Sequence, residues 1–314
     1  MKRTLIIMIA LISLLAIGCR NKQEILRFGV IKPSIDHLPY TWAMEKGLID
    51  NTKYETVFFT SGWEVQEALT AGRIDAAIMP FTFVWNAVAK GYPVKTISFF
   101  ERESDGILAQ SHIRKPQDLE GKKVGILRAS TLDVLWQDYA EKEGISAQPV
   151  YFRTPTEAVA ALQNRDVDAI VIYVPIINKL TENKVAEGKR PNDMFHVLHW
   201  FGDRYPAHPC CDLVVNTQQI GQDKKKPLLA LYQILAEAID AMGDDQDSVR
   251  QFVRQYYGLT AAAADAALEH TVFRMGLEES GKLLQHEMAV FSCQSGYLDQ
   301  IPSFADVYWD IGNR

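Results

Sequence analysis

The residues best equipped for chemistry fall in a few short runs. His208-Pro209-Cys210-Cys211 is the least ordinary, joining an imidazole to two adjacent thiols. Three uses stay open for it: a small polar wall facing a ligand, a buried structural pair, or a soft-metal or redox site assisted by His196, His199 or Cys293. Its spacing is not that of a zinc motif, because no Cys-x-x-Cys pair is present and neighbouring side chains on a regular strand point to opposite faces. Ser130 and Thr131 stand at the expected start of a helix, where hydroxyls and free backbone N–H groups suit an anion or, more simply, a cap. Arg128 and Arg153 are candidate partners for negative charge. Early in the chain, His37 is a candidate ligand contact, and Asp36 suits the N-cap of a helix beginning near Leu38. Ser61 and Trp63 flank Gly62 before another helix, and Trp63 can stack on a planar ligand or pack its lobe. Among Phe81, Phe83 and Trp85, helical spacing assigns most to the core, leaving Phe81 as the ligand candidate. Tyr173, at the end of a strand, is a plausible lid or hydrogen-bond donor.

An internal repeat supplies the elements that position these residues. Val57–Ile78 lies over Val150–Val171 without a gap, at an offset of 93 residues, so that Ile74-Asp75-Ala76 meets Val167-Asp168-Ala169. With small gaps the match continues upstream, Phe28-Gly29-Val30 facing Val124-Gly125-Ile126 and Gly47 facing Gly144. Each copy alternates β-branched runs with amphipathic segments, strand–helix–strand–helix–strand. Such alternation predicts an α/β fold of two similar lobes with mostly parallel sheets. Ligands bind beyond the carboxyl ends of parallel strands, so six loops should line one cleft. They pair as 32–37 with 128–131, 60–63 with 153–156, and 80–83 with 173–175.

The compartment is written at the start of the chain. Lys2 and Arg3 precede an apolar run from Leu5 to Ile17 that is too short to span a bilayer, followed by Ala16-Ile17-Gly18-Cys19. This reads as a signal peptide over 1–18, with Cys19 as the lipidated residue and 19–24 as an anchor linker. Over the whole chain 33 basic side chains face 39 acidic ones, a formal charge of −6, and the leader carries two of the basic ones. An acidic chain without basic blocks argues against nucleic acid as partner. Besides Cys19 only Cys210, Cys211 and Cys293 are present, too few for a disulfide framework.

Four passages carry a family resemblance: residues 67–81 (EALTAGRIDAAIMPF), 115–127 (KPQDLEGKKVGIL), 167–177 (VDAIVIYVPII) and 208–220 (HPCCDLVVNTQQI). In order and spacing they resemble the type II solute-binding proteins of ABC importers, in the nitrate/sulfonate/taurine and thiamine-pyrimidine-precursor (NMT1/THI5-like) class. Residues 292–309 look like that family's C-terminal tail, and several members carry a His at the position of His37. The resemblance implies two hinge crossings, near 100–107 and 205–213. It implies lobe 1 from 25 to 103, lobe 2 from 104 to 212, and a return to lobe 1 with C-terminal helices over 213–314. It also implies an exported, lipid-anchored monomer that does no chemistry, needs no cofactor and holds no metal. Such a protein takes a sulfonate-, nitrate- or pyrimidine-like small molecule and delivers it to a membrane permease. The ligand set would draw on His37, Ser61, Trp63, Phe81, Ser130, Thr131, Tyr173, His208, Cys210 and Cys211. One alternative is a metal or metal-complex binder using His208, Cys210 and Cys211. Another is a sensor or adhesin whose partner is a receptor. The same fold includes thiamine-pyrimidine synthases, but their cofactor lysine and donor histidine correspond to Met79 and Phe83 here.

Overall fold

A computed structural model describes residues 25–182 and 194–311. The leader, Cys19 and the 19–24 linker lie outside the described residues. The first copy of the repeat runs β1 (Leu26–Ile31), α1 (Leu38–Glu45), β2 (Tyr54–Phe59), α2 (Gly62–Thr70), β3 (Ala76–Pro80) and α3 (Phe81–Ala89). After β4 (Val94–Glu103) and β5 (Asp105–Gln110), the second copy runs β6 (Lys123–Leu127), α4 (Thr131–Glu143), β7 (Gln148–Phe152), α5 (Pro155–Gln163), β8 (Ala169–Tyr173) and α6 (Ile176–Glu182). Then come β9 (Phe195–Trp200), α7 (Phe201–Arg204), β10 (Pro209–Asn216), α8 (Gln222–Asp244), α9 (Gln246–Tyr257), α10 (Ala261–Glu269), β11 (Thr271–Gly276), α11 (Glu279–Gln294) and α12 (Phe304–Val307).

The strands form two sheets, ordered β11-β4-β10-β3-β1-β2 and β7-β6-β8-β5-β9. Within each, the three repeat strands are parallel and the next strand, β10 or β5, is antiparallel. The registers agree: Phe28 faces Ala76 and Gly29 faces Ala77, as Val124 faces Ala169 and Gly125 faces Ile170. Central strands such as β3 and β8 are apolar almost throughout because helices cover both faces.

The sequence repeat has a structural cause. Asp75 Oδ2 accepts the Arg27 backbone N–H at 2.8 Å, and Asp168 Oδ2 accepts that of Lys123 at 3.1 Å. Each carboxylate thus ties the third strand of its copy to the start of the first. Ser61 and Thr154 cap α2 and α5, while Glu64 and Glu157 reach back to the preceding backbone N–H groups. One difference separates the copies: Asp75 is fully buried and also binds the Arg27 guanidinium at 2.6 Å and Lys224 Nζ at 3.0 Å.

The chain crosses between the sheets at Ser104 and again over 201–208. Glu103, Ser104 and Ala207 adopt positive φ of 68°, 66° and 56° at these crossings. Left-handed backbone is costly for residues with a Cβ, and neighbouring bonds hold it in place. The Glu103 N–H donates to the His208 carbonyl at 3.2 Å, and its carboxylate accepts the Ala207 N–H at 2.6 Å. The two crossings are therefore strapped side by side.

After the second crossing α8 packs on α1 and on the first sheet's core, through Leu228, Leu231 and Leu235. The C-terminal part does not return to the first lobe alone. Helix α11 also contacts α4 of the second lobe, and Tyr297 and Tyr151 join hydroxyls at 2.8 Å. Among the described residues, no helix is long and apolar enough to cross a membrane.

Candidate functional site

The predicted loops converge on a narrow, nearly closed cleft with about 40 Å³ of free space. From the first lobe it is lined by Asp36, Ser61, Trp63 and Phe83, and from the second by Ser130, Thr131, Arg153 and Tyr173. Asp105 and Cys210 form the floor, where the chain crosses. Wider hollows on the outer surface, such as the one beside Asp50, Lys53, Asp223 and Lys226, are shallow and lie away from these loops.

Several candidates take places other than those expected. Phe81 is fully buried in a cluster with Trp85, Phe99 and Tyr308, and the stripe member that faces the cleft is Phe83. Helix α3 is apolar on nearly every side, so spacing left its phase unset. Phe83 packs against Trp63 with ring centroids 5.0 Å apart, making an aromatic wall. His37 is buried behind the cleft and its Nε2 accepts the Ile31 backbone N–H at 3.1 Å. Burial without a counter-charge pushes its pKa down to about 3, so the ring is neutral. His208 is likewise buried, pushed down to about 4, and faces Pro209 and the second-lobe side. Asp36 is not a helix cap; Ser34 accepts the N–H of the short turn instead, and the Asp36 side chain turns inward.

The helix start of the second lobe is already occupied by protein groups. Ser130 Oγ donates to the Leu127 carbonyl at 2.6 Å, and Thr131 Oγ1 to the Cys210 carbonyl at 3.3 Å. Asp133 takes the Ala129 N–H at 2.7 Å, placing a carboxyl where an anion would sit. Arg128 stacks on Tyr151 outside the cleft lining, which leaves Arg153 as the lining cation.

The floor joins the expected Cys210 and Cys211 to two residues that sequence reasoning missed, Glu101 and Asp105. Asp36, Glu101, Asp105, Cys210 and Cys211 come together although four separate segments supply them. Both thiols face the same way because β10 is irregular. Pro209 pairs with Arg102 and Cys211 with Glu101, so Cys210 is a bulge residue and its side chain is re-aimed. The two sulfurs lie 3.8 Å apart, and Cys211 Sγ donates to Asp36 Oδ2 at 3.3 Å. Glu101 and Asp105 are each 1% exposed, and no donor meets their four carboxylate oxygens in good hydrogen-bond geometry, although the Cys210 thiol lies close to both and the Ser104 hydroxyl close to Glu101. Burial first, then repulsion from Asp36, pushes the pKa values of Glu101 and Asp105 well up, and burial also raises Asp36. Behind the floor Asp212 accepts from Thr96 and Gln285, both at 2.8 Å, and burial pushes it up to about 7. Tyr308 donates to Gln285 at 2.8 Å, so this network anchors α11 to β10.

Two similar lobes, two crossings and a cleft between them define the periplasmic-binding-protein fold. A family model described as NMT1/THI5 like matches residues 34–249, and the chain belongs to that family. The alkanesulfonate-binding protein SsuA from Xanthomonas axonopodis pv. citri, bound to MOPS, superposes with a TM-score of 0.76 at 21% identity, over 90% of this chain and 97% of that one. The periplasmic nitrate-binding protein NrtA from Synechocystis PCC 6803 gives 0.68 at 14% identity, over 90% and 83%. A Brucella abortus protein named "Putative binding protein BAB2_1146" is 28% identical over 148 residues, 45% of this chain and 45% of its own length. The chain thus matches about half the length of that curated relative.

Proposed function

We propose that this chain is an exported, lipid-anchored solute-binding component of an ABC importer, which closes its lobes on a small organic solute and presents it to a permease. The observation that carries the reading is the cleft itself. Corresponding loops of the two lobes face each other across it, Trp63 and Phe83 form an apolar aromatic wall with their rings tilted 46° to each other, and hydroxyl and carboxyl groups converge at its base. Closure about the two crossings would bury the solute, as hinge-bending binding proteins do. Family membership and the SsuA and NrtA likenesses support a carrier rather than a catalyst.

Of the sulfonate-, nitrate- and pyrimidine-like classes, a planar heterocycle bearing hydrogen-bond donors suits this cleft best. Its ring would lie against Trp63 with Tyr173 opposite, and its amino groups would meet Asp36 or Asp105. An oxyanion would find Arg153 but also the buried carboxyls and Asp133. The test is a thermal-shift panel of aminopyrimidines, sulfonates and nitrate on the purified protein. A bound ligand at a hundredfold excess over Kd stabilises the folded state by about 2.7 kcal/mol. An aminopyrimidine should raise the midpoint, and Trp63→Ala should abolish the shift. A sulfonate response unaffected by Trp63→Ala would overturn the assignment of this wall.

A further inference from the structure

The floor of the cleft gathers three carboxyls and two thiols, and its innermost atoms are arranged on the scale of a single ion. We infer that Asp36, Glu101, Cys210 and Cys211 form a binding site for one divalent metal of the zinc class. One donor atom from each of the four lies within 4.8 Å of every other, and all four residues are buried. A tetrahedral ion with Zn–S near 2.3 Å and Zn–O near 2.0 Å holds its ligand atoms about 3.8 Å apart (sulfur to sulfur) and about 3.5 Å apart (sulfur to oxygen). The corresponding separations here are 3.8 Å between the sulfurs and 3.3 Å from Cys211 Sγ to Asp36 Oδ2.

The second observation is the state of Glu101. Both its oxygens are buried with no donor in good hydrogen-bond geometry, the Ser104 hydroxyl and the Cys210 thiol being the groups nearby, and it is the strand residue paired with Cys211. A carboxylate in that position is costly unless a cation meets it. Two thiolates and two carboxylates around a divalent ion leave the same net charge as a four-thiolate zinc site, and thiolate ligands select a borderline or soft metal over magnesium or calcium. Binding releases the two thiol protons, including the one Cys211 donates toward Asp36, together with any proton held on the two carboxyls. Entry is through the cleft, which Asp36 and Cys210 line. His208 takes no part: it lies outside this group of four and faces the second lobe. The ligand set therefore differs from a His208/Cys210/Cys211 site, and the inference stands whether or not the importer reading holds.

The test uses the full chain, purified in mild detergent with a phosphine reductant under inert gas, and Co²⁺ as the probe for Zn²⁺. One equivalent should bind and give a thiolate-to-cobalt charge-transfer band with the strong visible absorption of tetrahedral cobalt. Cys210→Ser with Cys211→Ser should remove the band. Glu101→Gln keeps the shape of the side chain and its hydrogen-bonding capacity toward Ser104 and Cys210, so it should stay folded yet bind Co²⁺ at least about tenfold more weakly. His208→Gln should leave the affinity unchanged. A reduced parent protein that gives no charge-transfer band refutes the site. So does equal binding by the serine or Glu101→Gln variants, and loss of the band in His208→Gln would refute the ligand set.

Discussion

Asp212→Asn isolates the energetic consequence of the acid-lined interior. In the folded protein this carboxyl titrates at about 7 against an ordinary value of 3.8, because burial opposes its charge more than Thr96 and Gln285 favour it. The folded state therefore holds a proton that the unfolded chain has already released between roughly pH 4 and pH 7, and stability falls as pH rises through that window. Each pH unit costs about 1.4 kcal/mol, so the whole passage costs roughly 4 kcal/mol from this one group. Above pH 7 the penalty is fully present. Asparagine stays neutral, and its amide still fits the site, because the Thr96 hydroxyl can turn to accept while Gln285 continues to donate. The neutral His37 and His208 impose an opposite slope, since the unfolded chain gains their protons as pH falls below about 6.5. That slope is common to both proteins and cancels in their difference. Urea unfolding of parent and variant at half-unit steps from pH 4.5 to 8 should show the variant gaining about 3 kcal/mol relative to the parent across the range. A difference that stays constant with pH would refute the buried-acid account.

Three further variants probe the repeat and the crossings. Asp75→Asn should cost about 2–3 kcal/mol in urea unfolding, because it removes the buried carboxylate that binds the Arg27 guanidinium and Lys224 Nζ. Its repeat mate Asp168→Asn should cost no more than about 1 kcal/mol, since Asp168 is partly exposed and its pairing with His112 is a surface one. Ala207→Gly should raise stability by roughly 1 kcal/mol by relieving a positive φ, and a loss measured in the same assay would show that the methyl group is needed for packing.

The sequence made the lobes legible because repetition leaves a record at every level. Asp75 and Asp168, Ser61 and Thr154, and Glu64 and Glu157 do the same local work at the same offset, so alignment of the chain with itself revealed the topology. The loops of the cleft followed from strand direction. Phe83 was passed over for Phe81 because an all-apolar helix carries no phase. The acid–thiol floor was out of reach for a different reason. Its members come from positions 36, 101, 105 and 210–211, and no local pattern joins them. The inference that adjacent cysteines diverge assumed an unbroken strand, and one bulge residue at Cys210 reverses it. A buried glutamate on a β-strand was the available signal, but Glu101 sits in a charged stretch that reads as surface.

The strap between the crossings has a mechanical consequence. Glu103 binds the second crossing through its backbone and its side chain, so the two connections cannot slide past one another. Two pins set side by side fix an axis. A door hung on them swings but does not tilt, and every loop along the jamb separates in the same stroke. An opening about these pins would be described by a single angle, with the acid–thiol cluster at the pins and the aromatic wall partway along the leaf.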